Sequence, residues 1–165
     1  MRKIFYVSVI ATLLIVSCKK QTIDELYEDK TGKGPRQVLP VISNSFWRLT
    51  AIRLTYANGT IYDSIIDECK RDDVTIYEKN GDMTILHGSA LCGGNPSPEN
   101  GKFGTWQLLD NATRIRETYS REIRRIPAMT IRDFHIDRVK FKELVISRPV
   151  NDPNGDYTET TTLTR

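Results

Sequence analysis

From residue 46 onward, short runs of aromatic and β-branched residues alternate with polar residues, and turn-forming residues separate the runs. A period of two residues predicts strands that bury one face. The candidate turns, in chain order, are Asn58-Gly59, Asn80-Gly81, Asp110-Asn111-Ala112, Asp137-Arg138 and the segment NDPNGD at 151–156. We therefore expect eight or nine consecutive strands with no convincing helix among them, which is typical of an all-β fold, either an up-and-down antiparallel barrel or a sandwich.

Two strands change the phase of their alternation, one near Ala51 and one between Ile131 and Phe134. A β-bulge at each point would explain the change and would help the sheet to curl, whereas burial of both strand faces is the alternative. For the tryptophans, a role in the core is the simpler expectation. The side chains expected to point inward, as candidates for a ligand-binding wall, are Trp47, Leu49, Val74, Ile76, Trp106, Leu108, Ile115 and Ile131.

The first 18 residues follow a different pattern. Arg2 and Lys3 precede an apolar run at residues 4–16, which is shorter than the roughly 20 residues that a membrane-spanning helix needs. This arrangement predicts a signal peptide for export. The run ends in IVSC at residues 15–18, which comprises an aliphatic residue, a tolerant position, a small residue and a cysteine. This end resembles the lipobox of bacterial lipoproteins.

The lipobox resemblance implies that the signal peptide, residues 1–17, is removed and that Cys18 becomes an acylated N-terminus. Two or three acyl chains bind a membrane firmly, whereas one chain binds it only marginally. An unmodified cysteine after an ordinary signal peptide is the alternative. Residues 18–42 contain glycine, proline and many charged residues. We expect them to form the lipidated N-terminus and a flexible tether, so that residues 43–165 form the barrel domain.

Removal of the signal peptide would leave the chain nearly neutral. The sequence has 24 basic and 21 acidic residues. The signal peptide contains Arg2 and Lys3 but no acidic residue, so the remaining chain has 22 basic and 21 acidic residues. A nucleic-acid-binding domain carries a basic footprint, so we expect no nucleic acid as a partner. The arginines between residues 114 and 132 are interleaved with acidic residues and are expected to form a solvated strand face rather than a polyanion site.

Once Cys18 is assigned to the anchor, Cys69 and Cys92 remain. In an exported domain an even pair of cysteines predicts a disulfide, which would stabilise the fold by about 3 kcal/mol for a loop of this length. A reactive or metal-binding pair is the alternative, but neither cysteine has a second cysteine or a histidine at the spacing of zinc ligands. We expect no metal ion and no cofactor.

Four segments together look like the lipocalin-like domain of lipoproteins in Gram-negative envelopes: FWRLTAIRL, DECKRDDVTIYEKNGDM, LCGGNPSPENGKFGTWQL and ELVIS. The shared features are a tryptophan opening the first strand, a cysteine before an acidic pair, an aromatic strand with an Asn-Gly turn, a second cysteine, and Gly-x-Trp. These features fall at Trp47, Cys69, Asp72 with Asp73, Tyr77, Asn80 with Gly81, Cys92, and Gly104 with Trp106. The resemblance covers residues 43–146 and implies a lipocalin-like β-barrel of about eight strands, anchored at the bacterial outer membrane.

The sequence contains no catalytic signature. His87 and His135 are its only histidines, and neither a nucleophile elbow nor a phosphate-binding loop is present. Adjacent carboxylates such as Asp72 and Asp73 would face opposite sides of a strand. We therefore expect a monomeric, non-enzymatic barrel that binds a small apolar ligand in the cell envelope. The alternative is a filled barrel that contacts envelope proteins or glycans, and the sequence leaves the periplasmic and surface faces of the membrane equally open.

Replacement of the predicted anchor residue tests the lipobox interpretation. We expect Cys18→Ala to move the protein from the membrane fraction to the soluble fraction, because no acyl chain can then be attached. Cell fractionation followed by immunoblotting measures this, with Cys92→Ala as the control that keeps the anchor. Unchanged recovery of Cys18→Ala in the membrane fraction would contradict the prediction.

Overall fold

A computed structural model describes residues 35–90, 100–123 and 126–165, and the side chains of these residues except 35–36 and 120–128. The predicted signal peptide, Cys18 and Cys92 lie outside the described residues, so the statements about them stay predictions. The strands are β1 (Phe46–Tyr56), β2 (Ile61–Asp63), β3 (Val74–Tyr77), β4 (Asp82–Leu86), β5 (Gly101–Leu109), β6 (Arg114–Ile123), β7 (Ile126–Lys140), β8 (Glu143–Val150) and β9 (Tyr157–Thr164). The helices are α1 (Pro35–Ile42), α2 (Glu68–Arg71) and a 3-10 turn at Asp110–Ala112.

The strands form one antiparallel sheet that closes on itself. From β3 to β9 each strand pairs with the next along the chain, and β1 pairs with β9 from Arg48↔Thr164 to Tyr56↔Tyr157. The other edge of β1 pairs with β3 at Phe46 and then with β2 further along. Eight strands therefore make the ring and β2 extends one wall, so the predicted all-β, up-and-down architecture is confirmed.

One of the two predicted bulges is present where the phase changes. The register between β1 and β9 shifts between Leu49 and Ala51, so the first expectation is confirmed. The second is wrong, because β6 and β7 pair without interruption along their described residues. Met129 and Ile131 instead face outward and are 71% and 56% exposed. The alternation of apolar and polar residues changes phase between Ile131 and Phe134 because the apolar residues before Phe134 lie on the outer surface. The register shift of β7 lies further along the strand, between Ile136 and Arg138.

Four of the five predicted turns connect strands. Gly59 and Gly81 have φ values of 84° and 89°, the left-handed conformation that makes Asn-Gly a favoured hairpin turn. The predicted turn at Asp137-Arg138 is wrong, because β7 continues to Lys140 and the chain turns at residues 141–142. Asp137 lies at the register shift between β7 and β8. The polar pair Asp137-Arg138, whose composition is typical of a turn, therefore marks an irregularity within a strand.

Helix α1 belongs to the domain, although the sequence analysis places its residues in the tether. Val38, Val41 and Ile42 are buried in the core, at the spacing that puts them on one helix face. The composition of the segment, with Pro35 and Pro40, resembles a linker, but a proline at the first helical position sacrifices no hydrogen bond. None of the helices in the described part of the chain has the length and apolar content needed to span a membrane.

The helix covers one end of the ring. The Trp47 indole donates a hydrogen bond to the carbonyl of Ile42 at 2.9 Å, and the hydroxyl of Ser45 donates to the carbonyl of Val41 at 3.1 Å. The Arg165 guanidinium also donates to the carbonyl of Val41 and lies 4.8 Å from the centre of the Trp47 ring. These contacts satisfy carbonyls at the end of the helix that have no partner within it.

Truncation of a buried α1 side chain should destabilise the whole barrel. Ile42 is fully buried, so we expect Ile42→Ala to lower the free energy of unfolding by about 2 to 5 kcal/mol. Urea denaturation measures this, and Leu39→Ala, on the exposed side of the same helix, should cost less than about 1 kcal/mol. Equal small effects for both variants would show that α1 does not contribute to the core.

Candidate functional site

The closed sheet surrounds a partly open cavity of about 220 Å³. Strands from all sides of the ring contribute to its wall, because alternate residues of each strand face inward. Its apolar wall is formed by Leu49, Ile52, Met83, Ile85, Phe103, Phe134, Ile146 and Leu163. The bulge in β1 explains why Leu49 and Ile52, three positions apart, both reach the interior. The cavity is thus largely apolar, with polar groups on one part of its wall.

The polar part of the wall is centred on Glu117. This carboxylate is 4% exposed and lies on β6 between the inward-facing Ile115 and Tyr119. The hydroxyl of Tyr77 donates to Glu117 Oε1 at 2.5 Å, and the hydroxyl of Tyr119 donates to Glu117 Oε2. Both tyrosine rings are held by aromatic neighbours in edge-to-face contact, Trp106 beside Tyr77 and Phe103 beside Tyr119. The two hydroxyls therefore approach the carboxylate from fixed directions.

Burial dominates the protonation behaviour of this cluster. Loss of solvation raises the pKa of Glu117 above its usual range, although the hydrogen bonds from Tyr119 and Tyr77 act in the opposite direction. The pKa of Tyr77 is raised by burial and by the nearby Glu117 charge, and the pKa of Tyr119 is raised for the same reasons. The tyrosines therefore remain neutral donors, and Glu117 is the group of the cluster that changes charge.

Two arginines lie near this carboxylate without forming a hydrogen bond to it among the described residues. Arg132 lines the cavity, with its guanidinium 5.2 Å from the centre of the Tyr119 ring. Arg148 makes two hydrogen bonds to the Glu159 carboxylate, at 3.0 and 3.1 Å. The charge of Arg148 is therefore matched by Glu159, and Arg132 is the guanidinium that faces the cavity.

The structure brings five of the eight predicted inward side chains to the core. Trp47, Trp106 and Ile115 are buried there, and Leu49 and Leu108 are half-buried against it. Of these five, Leu49 also lines the cavity. Trp106 packs beside the cavity, and its indole nitrogen donates a hydrogen bond to the carbonyl of Glu78 at 2.8 Å. Both tryptophans are therefore part of the core, which was the simpler expectation.

The other three predictions of inward orientation are wrong. On β3 the residues that line the cavity are Thr75 and Tyr77, so Val74 and Ile76 face the opposite side of the sheet. Val74 is nevertheless buried, which shows that this strand is covered on its outer face as well. Ile131 lies on the outer face of β7. An apolar residue on a strand covered on both sides does not reveal which face is the interior.

Among the described residues, the two histidines lie apart, each beside its own aspartate. His87 and His135 each lie 3.1 Å from a separate aspartate, Asp73 and Asp137 respectively. Within the described ranges, no three histidine, cysteine, aspartate or glutamate side chains come close enough to hold a metal ion. Cys69 is buried and disulfide-bonded, but Cys92 lies outside the described residues, so the predicted pairing stays a prediction.

Two arginines of the group at residues 114–132 form ion pairs on the outer face. Arg114 and Arg116 both donate to Asp133, at 2.7 to 2.8 Å. Hydrogen bonds from Arg116 hold the pKa of Asp133 below its usual value. Ion pairing of this kind matches the expectation of a solvated strand face, whereas Arg132 lines the cavity while its residue stays exposed.

Glu117 is the functional candidate that the sequence analysis missed. Its position was deducible, because it follows the predicted inward residue Ile115 by two residues on the same strand. A carboxylate between Arg116 and Thr118 looked like part of a solvated face, and its two hydrogen-bond partners could not be identified from the chain alone.

No known protein family matches the sequence, and no curated protein matches it either.

Ionisation of a buried carboxylate should make stability depend on pH. Because the folded protein binds the Glu117 proton more tightly than the unfolded chain does, wild-type stability should fall as pH rises from the ordinary glutamate pKa through the raised one. Glu117→Gln cannot ionise, so the unfolding free energy of this variant minus that of the wild type should increase across that pH interval and level off above it. Urea denaturation at a series of pH values measures this, and a pH-independent difference would contradict the raised pKa.

Proposed function

We propose that this protein is a lipid-anchored lipoprotein of the bacterial outer membrane whose lipocalin-like barrel binds a small, largely apolar ligand. The observation that carries the proposal is the interior cavity of about 220 Å³. A cavity of roughly 150 Å³ with apolar walls is enough to hold benzene. Binding sites for larger ligands usually measure about 300 to 1,000 Å³, so the ligand expected here has about the size of one substituted ring.

The proposal includes the anchor and the disulfide that the sequence predicts. Acylation would occupy Cys18, and Cys92 is then the cysteine left to pair with Cys69, which is disulfide-bonded. The proposed role is binding rather than catalysis, because the cavity brings Glu117 together with neutral tyrosine donors and not with a nucleophile. Ligand exchange would then require only that the barrel admit a small molecule.

The alternative, a barrel that acts by contacting envelope proteins or glycans, is favoured by a separate observation. Ile61, Tyr62 and Ile65, on and just after β2, are 56%, 59% and 93% exposed. An exposed apolar group of this kind is typical of a contact surface. The interior cavity favours ligand binding instead, because a barrel that acts only through its surface has no need of a cavity inside it.

Filling the cavity should weaken the binding of a small apolar probe. Thr161 lines the cavity between Ile52 and Ile146, so we expect Thr161→Phe to lower toluene affinity at least about tenfold, a loss of about 1.4 kcal/mol, while the barrel stays folded. Thr160→Phe, at the neighbouring outward position, is the matched control and should bind toluene as the wild type does. Changes in ¹H–¹⁵N NMR spectra on titration measure both, and equal loss of binding in the two variants would contradict an interior site.

A further inference from the structure

The polar part of the cavity wall offers a ligand mainly hydrogen-bond acceptors. A tyrosine hydroxyl has one proton, and the protons of Tyr77 and Tyr119 are both directed at Glu117. The hydroxyl oxygens keep lone pairs, and each oxygen of an ionised carboxylate can accept a second hydrogen bond. A ligand group that hydrogen-bonds to Glu117 or to these hydroxyl oxygens must therefore be a donor.

Glu117 also lacks a direct cationic partner. Its residue is 4% exposed, and no lysine or arginine of the described residues lies within hydrogen-bonding distance of its carboxylate. A buried carboxylate is costly unless a cation pairs with it. Arg148 is paired with Glu159, and the exposed Arg132 lies over the Tyr119 ring rather than against the carboxylate. Among the described residues Glu117 therefore has no cation in contact with it, and an apolar ligand with a positive end would supply one.

We propose that the ligand is a small apolar amine whose ammonium group binds the carboxylate of Glu117. This inference rests on the proposed function of the cavity and specifies the chemistry of its ligand. An ammonium group supplies up to three donors together with the missing charge. The hydrocarbon part of the amine would occupy the apolar wall formed by side chains such as Ile52, Phe134 and Leu163.

Other polar ligands match this wall less well. An alcohol offers one donor without the charge, so it leaves the carboxylate unpaired. A carboxylate ligand would be attracted by Arg132 but repelled by Glu117 in the same cavity, whereas the charge of Glu159 is matched by Arg148. The charged and titratable groups around Glu117 are Tyr77 from β3, Tyr119 from β6, Arg132 from β7, Arg148 from β8 and Glu159 from β9.

A set of four probes of similar shape tests the inference: benzylamine, benzyl alcohol, toluene and benzoate. We expect the wild-type protein to bind benzylamine about tenfold or more tightly than toluene, and benzoate most weakly, in NMR titrations near neutral pH. Glu117→Gln should lose the preference for the amine and keep its affinity for toluene. Glu143→Gln removes one negative charge at the β7–β8 turn, outside the cavity wall, and should keep the preference.

A second measurement needs only the wild-type protein, should Glu117→Gln fail to fold. Benzylamine affinity should fall about tenfold as pH decreases through the raised pKa of Glu117, because protonation removes the charge, whereas toluene affinity should stay constant. Equal affinities for benzylamine and toluene, or tightest binding of benzoate, would overturn the inference and leave the cavity as a binding site. Failure of all four probes to bind would overturn the proposed function itself.

Discussion

The interior of this protein depends on the pairing of β1 with β9. These strands join from Arg48↔Thr164 to Tyr56↔Tyr157, with one shift of register beside Leu49. A closed sheet has an inside, so every second side chain of every strand must be apolar or hydrogen-bonded to a neighbour. The shift of register keeps both Leu49 and Ile52 on the inner face. If the same residues alternated regularly without a bulge, Ile52 would point to solvent and the cavity would lose part of its wall.

The elements that depend on local chemistry were predictable, and those that depend on the closed ring were not. Asn-Gly pairs at residues 58–59 and 80–81 turn the chain because glycine adopts positive φ freely, and this holds in any fold. Helix α1 could not be recognised in the same way, since its prolines and short length resemble a linker. Its apolar face is meaningful only once there is an open ring end, lined by Trp47, that it can cover.

The candidate site shows the same division between local and distant information. Ile115 was placed inside correctly, and the two-residue period then puts Glu117 inside as well. What makes the position tolerable for a carboxylate is Tyr77, which is 40 residues away along the chain. On β3, Val74 and Ile76 were placed inside because apolar residues usually mark the interior, yet Thr75 and Tyr77 occupy it. A strand that is covered on both faces carries no local sign of which face lines the interior.

The attachment of α1 also determines how the domain responds to force. A pull on the chain before Pro35 reaches the barrel through this helix, which is held by apolar contacts and by hydrogen bonds to the carbonyls of Val41 and Ile42. Behind it, β9 is joined to β1 and to β8 by long ladders of backbone hydrogen bonds. Local elements with fewer contacts open before the core does. Tension on the N-terminal segment would therefore detach α1 and expose Trp47 before it separated β9 from β1 or from β8.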